Sequence, residues 1–254
     1  MKFLIMKKLL CLLVLSIAFT SCTFVEEIDI QPDGSGKYNL DMDGSSLMSM
    51  IPKDSLKNEK NVDSTFSFKK MFSEKKDSIA KLSPEEQAKL KRLENFNMRM
   101  KMNYDTKQFL FSMNTDFKKV SDLQDAFGNL NSVQSLGKNK MNQNTMGDTG
   151  GLFGSNTSKL TFFYDGKKFI RKSVVDTELL KKVKNDSAQQ AYEMIYQASK
   201  YVLKYHFPKK VKRISINNAL YSEDRKTITI EYPFKEYMDH PEKFNFEVEF
   251  ENSK

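Results

Sequence analysis

The chain has 254 residues, a formal charge of +8 and 39% hydrophobic residues, enough to bury a core and to build one large or two small domains. Two cysteines near the start and two distant histidines exclude a disulfide scaffold and a zinc centre of the usual spacing. The basic balance is spread out, densest at Lys181-Lys182 and Lys209-Lys210. A solvated surface accounts for it, with attraction to anionic lipid as the functional alternative.

Lys2, Lys7 and Lys8 accompany an unbroken apolar run from Leu9 to Leu15, continued to Phe19 and closed by Thr20-Ser21-Cys22. A positive end, a short apolar stretch and small residues before a cut are the parts of a secretory signal. The 11 residues from Leu9 to Phe19 are too few for a spanning helix, which needs about 20. Met1 and Met6 both serve as starts, since Met6-Lys7-Lys8 opens a normal signal. The end of the segment resembles the lipobox of bacterial lipoproteins, in its looser Bacteroidota form. There a small residue precedes a cysteine that takes a diacylglycerol on sulfur and becomes the mature N-terminus. Ser21 and Cys22 fit, while Phe19 stands where the pattern has Leu.

The resemblance implies a lipoprotein signal peptide over residues 1–21, lipid on Cys22, and the membrane as first partner. Ordinary secretion with a cut between Ala18 and Cys22 is the alternative. Thr23 brings no inner-membrane retention signal, and Glu26-Glu27 is a faint echo of surface-export tags. The expected location is the periplasmic face of the bacterial outer membrane, with the cell surface second. No nucleic acid is expected as a partner there. With Cys11 removed and Cys22 lipidated, residues 22–254 have no disulfide and must fold by packing.

Phe24, Ile28 and Ile30 alternate with acids, and Tyr38, Leu40 and Met42 resume the alternation after Pro32-Asp33-Gly34-Ser35-Gly36: a hairpin. Ser45 to Ile51 reads as a short helix, and Lys53 to Lys76 as a polar, partly helical stretch. Ser83-Pro84-Glu85-Glu86 starts a helix running to Glu94, with Ala88 and Leu93 inward. Met98, Met100, Met102 and Tyr104, then Phe109, Phe111 and Met113, form a second hairpin. A short helix carrying Leu123, Phe127 and Leu130 is expected within 121–136, and a mobile loop over 137–158. Leu160 to Tyr164 and Phe169 to Val174 flank an Asp165-Gly166 turn, a third hairpin. Leu179 to Ala198 reads as the longest helix. Tyr201–Phe207, Val211–Ile216, Leu220-Tyr221, Thr227–Tyr232 and Phe244–Phe250 read as strands, with Pro233 to Met238 a short helix or turn. Adjacent hairpins with inserted helices predict a single α+β domain on an antiparallel sheet.

Two segments carry a second resemblance: V-E-E-I-D-I-Q-P-D-G-S-G-K-Y at Val25–Tyr38, and Y-H-F-P-K-K-V-K-R-I-S at Tyr205–Ser215 followed by S-E-D-R-K-T-I-T-I at Ser222–Ile230. This order is similar to LppM-type bacterial lipoproteins. The similarity covers the two ends and implies a membrane-tethered, sheet-rich domain without an enzyme active site, in a family discussed as lipid-binding.

No nucleophile elbow, phosphate loop, zinc spacing or dinucleotide fingerprint appears, and no cofactor is expected. His206 reads as structural and His240 as an exposed turn residue. Asp41-Met42-Asp43-Gly44 has a passing likeness to a calcium loop without its downstream glutamate. Paired carboxylates for glycoside hydrolysis can lie anywhere, and no pair is singled out. The Met98/Met100/Met102 row facing Phe109/Phe111/Met113 suits either a plain core or a lipid-accommodating surface. The first expectation is therefore a non-enzymatic envelope lipoprotein that binds an apolar ligand or a partner. The rivals are an assembly component and an envelope-polymer hydrolase.

Overall fold

Period-two alternation places Phe24, Glu26, Ile28 and Ile30 on one face of the first strand, and all four are buried. The computed structural model describes residues 22–50, 52, 59–124, 129, 157–185 and 193–252. β1 (Thr23–Ile30) pairs with β2 (Gly36–Asp43) from Thr23↔Asp43 to Ile30↔Gly36. The turn between them is closed by Gly34 N donating to the Gln31 carbonyl at 2.9 Å.

The remaining strands are β3 (Val62–Ser67), β4 (Asn97–Asn103), β5 (Gln108–Phe117), β6 (Ser158–Tyr164), β7 (Lys168–Val175) and β8 (Lys200–His206). They are followed by β9 (Val211–Ile214), β10 (Leu220–Tyr221), β11 (Thr227–Pro233) and β12 (Phe246–Phe250). An eight-stranded sheet runs β10-β11-β8-β1-β2-β5-β4-β3, and a four-stranded sheet runs β6-β7-β12-β9. One core cluster joins them. Phe169 of β7 meets Tyr205 and Phe207 at ring-centroid distances of 5.5 and 5.3 Å, and Phe246 of β12 meets Tyr205 at 5.8 Å.

This is the α+β, antiparallel-dominated fold that the hairpins predict. One pairing departs from it: β1 and β8 run parallel, Thr23↔Lys200 to Asp29↔His206. Adjacent hairpins cannot make such a pair, because parallel neighbours require a long crossover between them.

Local chemistry sets the helix starts. Ser83 and Glu86 form a reciprocal capping box ahead of the Pro84–Leu93 helix, with Glu86 N to Ser83 Oγ 3.3 Å and Ser83 N to Glu86 Oε2 3.1 Å. Asp176 accepts from Leu179 N at 2.9 Å and starts the Thr177–Lys184 helix. Among the described residues, no helix is long and apolar enough to cross a membrane.

Several expectations need correction. Ala88 is exposed, and Leu90 joins Leu93 inside, because the buried stripe lies on the other side of the helix. The stretch read as partly helical does hold the Phe68–Glu74 helix, but ahead of it lies the unexpected edge strand β3, whose Val62 and Phe66 flank inward-phase Ser64; a serine between two apolar residues obscures the alternation. Where one helix is expected over Leu179–Ala198 with Ala198 on its inward stripe, a helix begins two residues earlier at Thr177 and ends at Lys184 with Asn185 as its cap. In the Glu193–Ala198 helix Ala198 is exposed and Tyr196 buried. A 3-10 turn at Val120–Leu123 buries Leu123, while Phe127 and Leu130 lie outside the described residues. Residues 137–156 of the expected loop also lie outside them, and Ser158 already belongs to β6. The expected signal peptide, 1–21, likewise lies outside the described residues.

Two glycines are required for different reasons. A methyl on Gly36 would run into the Asp29 carbonyl oxygen and come 2.6 Å from Phe117 Cζ. Gly166 has open space around it but a φ of +79°, which L side chains adopt at a cost. Gly36→Ala should therefore destabilise the domain by about 3 kcal/mol through overpacking. Gly166→Ala should cost only about 1–2 kcal/mol of backbone strain. Urea unfolding of the two variants measures the difference.

Candidate functional site

Cys22 sits at the mouth of the large sheet. Its carbonyl accepts from Lys200 N at 2.8 Å, and β1 begins at the next residue. The side chain is buried, with Sγ 3.2 Å from Ser46 Oγ. Phe24, two residues on, stacks on Phe234 at 4.1 Å, and Phe234 in turn meets Tyr196 at 5.4 Å. The start of β1 is thus wedged between β2, β8 and the Phe234–Asp239 helix.

The second feature is a charge cluster sealed between the sheets. Glu26 of β1 and Arg171 of β7 are each 1% exposed. Glu26 lies opposite Leu203, so the flanking same-face tyrosines of β8 close over its carboxylate. Tyr201 Oη donates to Glu26 Oε2 at 2.6 Å, and Tyr205 Oη donates to Oε1. Arg171 Nε donates to Tyr205 Oη at 3.1 Å and Nη1 to the Phe244 carbonyl at 3.1 Å. Nη2 stands 3.7 Å from Glu26 Oε2, an ion pair without a hydrogen bond.

Electrostatics follow from this enclosure. Burial, reinforced by the Glu26 carboxylate, holds the protons of Tyr201 and Tyr205 well above the ordinary tyrosine range, and Tyr38 behaves the same way. Burial is the largest single influence on Arg171 and works against its charge, but Tyr205, Glu26, Tyr237 and Tyr201 together outweigh it and push the guanidinium still higher. Carboxylate, tyrosine and arginine are residue types of proton transfer. Here they are closed off by Phe244, Phe246 and Phe169, so the arrangement ties the sheets together instead of meeting a substrate.

Among the clefts that open to the surface, a polar one and an apolar one stand apart in character. A polar one of about 1170 Å³ is floored by Asn39, Asn114 and Asn97, side by side across β2, β5 and β4, with Lys37, Lys91 and Arg92 around them. An apolar one of about 430 Å³ lies between helices, floored by Leu180, Val183, Tyr196 and Met238 and rimmed by Lys184, Lys235 and Asp239.

The other residues singled out by the sequence fall into structural roles. Met98, Met100, Phe111 and Met113 are packed in the core, with Met98↔Met113 and Met100↔Phe111 as neighbours. His206 Nδ1 lies 2.9 Å from Thr227 Oγ1, and exposed His240 lies 3.3 Å from Glu242 Oε1. Asp43 holds the turn into the next helix by accepting from Ser45 N at 3.0 Å. No group of three or more His, Cys, Asp or Glu is arranged to hold a metal among the described residues. Glu26, which reads as an outward acid, is the main correction. Its phase with Phe24 and Ile28, and that of Arg171 with Phe169, is the signal that marks both as inward.

Glu26→Leu and Arg171→Met should each cost about 3–5 kcal/mol, because each strands a buried charge. The double variant should cost much less than their sum in urea unfolding. Raised tyrosine pKa values contribute stability that is present below about pH 10 and lost as pH rises further. Absorbance titration should show Tyr38, Tyr201 and Tyr205 ionising only as the protein unfolds in alkali.

No protein-family model matches the chain, and no curated protein matches it. Among solved structures, the folded domain of Mycobacterium tuberculosis LppM, determined by NMR, is similar at TM-score 0.36 and 11% identity, covering 92% of this chain and 91% of its own.

Proposed function

We propose that this chain is an envelope lipoprotein, held by lipid on Cys22 to the periplasmic face of the bacterial outer membrane, whose domain binds an apolar ligand or a partner without catalysing a reaction. The observation that carries this reading is the lipobox-like Thr20-Ser21-Cys22, standing directly before a fold whose first strand begins at Thr23. Two or more acyl chains hold a protein stably where one does not. Once residues 1–21 are gone, Cys22 is terminal. Its side chain, buried beside Ser46, must turn outward for lipid to leave the fold, while its carbonyl keeps Lys200.

The Met/Phe hairpin is occupied by its own core, so the apolar groove over Leu180, Val183, Tyr196 and Met238 is the better place for an apolar ligand. A role as an assembly component draws on a different surface. Leu220 is 71% exposed on a two-residue edge strand, and Phe163 and Val174 stand out from the small sheet. The hydrolase reading has less support. Asp116 and Asp122 share the polar cleft, but Asp122 Oδ2 accepts from the Lys118 and Lys119 amides.

The test is the mass of the N-terminal peptide from bacterial membranes, with Cys22→Ala beside wild type. A diacylglyceryl adduct on Cys22, and release of the variant into the soluble fraction, is expected. An unmodified N-terminus on a soluble protein would make this a secreted domain instead.

A further inference from the structure

A lipid anchor on the first residue of a folded domain leaves no slack. The Cys22 carbonyl is already tied to Lys200, and Thr23 pairs on both sides, with Asp43 and Lys200. Whatever surrounds Cys22 is therefore held at the lipid headgroups. That surrounding is a set of helix ends. Ser199 follows the Glu193–Ala198 helix and accepts from Phe234 N at 2.9 Å, which brings in the Phe234–Asp239 helix. Lys184 reaches Asp239 at 3.4 Å, which brings in the Thr177–Lys184 helix.

The Thr177–Lys184 helix has no buried residue. At 3.6 residues per turn Leu179, Leu180 and Val183 share one stripe, with Lys182 and Lys184 on its two sides. Leu179 is 37% exposed, and Leu180 and Val183 line the open groove with Tyr196 and Met238. An apolar stripe bordered by lysines suits an interface where methylenes enter the acyl boundary and ammonium groups stay with phosphates. On this short helix Lys181, Lys182 and Lys184 stand against Glu178 and the Asp176 cap, with Lys181 paired to Glu178 at 3.5 Å and Lys184 to Asp239.

Building on the lipoprotein reading, we infer that this pole is the membrane-contacting face, with the Thr177–Lys184 helix and its groove lying on the anionic phospholipid surface that holds the Cys22 lipid. The domain is then oriented as well as tethered. Its β1–β2 turn points away from the bilayer, because that turn lies at the opposite end of β1 from Cys22.

Hydrogen exchange on the lipidated full-length protein in phosphatidylethanolamine–phosphatidylglycerol vesicles tests this, with soluble Cys22→Ala as reference. Amides of 177–184 should exchange about tenfold or more slowly on vesicles, while the 165–167 turn is unchanged. Leu179→Glu/Lys182→Glu, at exposed positions that leave the core intact, should abolish the slowing without lowering the unfolding midpoint. Unchanged exchange in protein that carries its lipid, or slowing that survives the double substitution, would overturn the face and leave the tether standing. A missing adduct in the mass spectrum would instead remove the tether, and the inference with it.

Discussion

A carboxylate and a guanidinium enclosed between two sheets constrain this molecule more than any apolar contact does. Separating Glu26 from Arg171 would strand a buried charge, so the two sheets are held to the alignment that keeps them together. That alignment recruits Tyr201 and Tyr205 from β8 and the Phe244 carbonyl from the 3-10 turn before β12. The cluster thus draws on both sheets and on chain segments from the first strand to the last connection. Its tyrosines carry a double burden, since the same rings that donate to Glu26 also fill the interface against Phe169, Phe244 and Phe246.

Much of the strand layout is legible in the chain itself. The Asp165-Gly166 turn, the Met98–Met113 hairpin and the capping box at Ser83 are local devices, and each appears where its residues place it. The parallel pairing of β1 with β8 is not legible, because no local signal records which distant strand fills a vacant edge. Glu26 misleads for a related reason. A glutamate beside another glutamate looks solvated until a partner is known, and that partner lies on β7. The strand phase alone, with Phe24 and Ile28 on either side of Glu26, carries the information. The polar cleft is unreadable too, since Asn39, Asn97 and Asn114 become neighbours only through the strand register.

The polar cleft and the apolar groove divide along the strands. The asparagine-floored cleft lies toward the Gly36–Phe117 end of the large sheet, and the apolar groove lies near the Thr23–Asp43 end. A chain anchored at Cys22 would therefore present amides, lysines and arginine outward and apolar side chains toward lipid. Polar ligands and lipid-facing contacts then occupy opposite poles and need not compete.

The parallel β1–β8 pair also sets an order of events during synthesis. The first strand cannot complete its hydrogen bonding until residue 200 and its neighbours have been delivered, so closure of the large sheet is a late, non-local step. Until then β1 has β2 as its hydrogen-bonding neighbour, and the Cys22 carbonyl still lacks the Lys200 amide. The late strand therefore acts as a latch: the Cys22 carbonyl and the second edge of β1 are tied down only when β8 arrives.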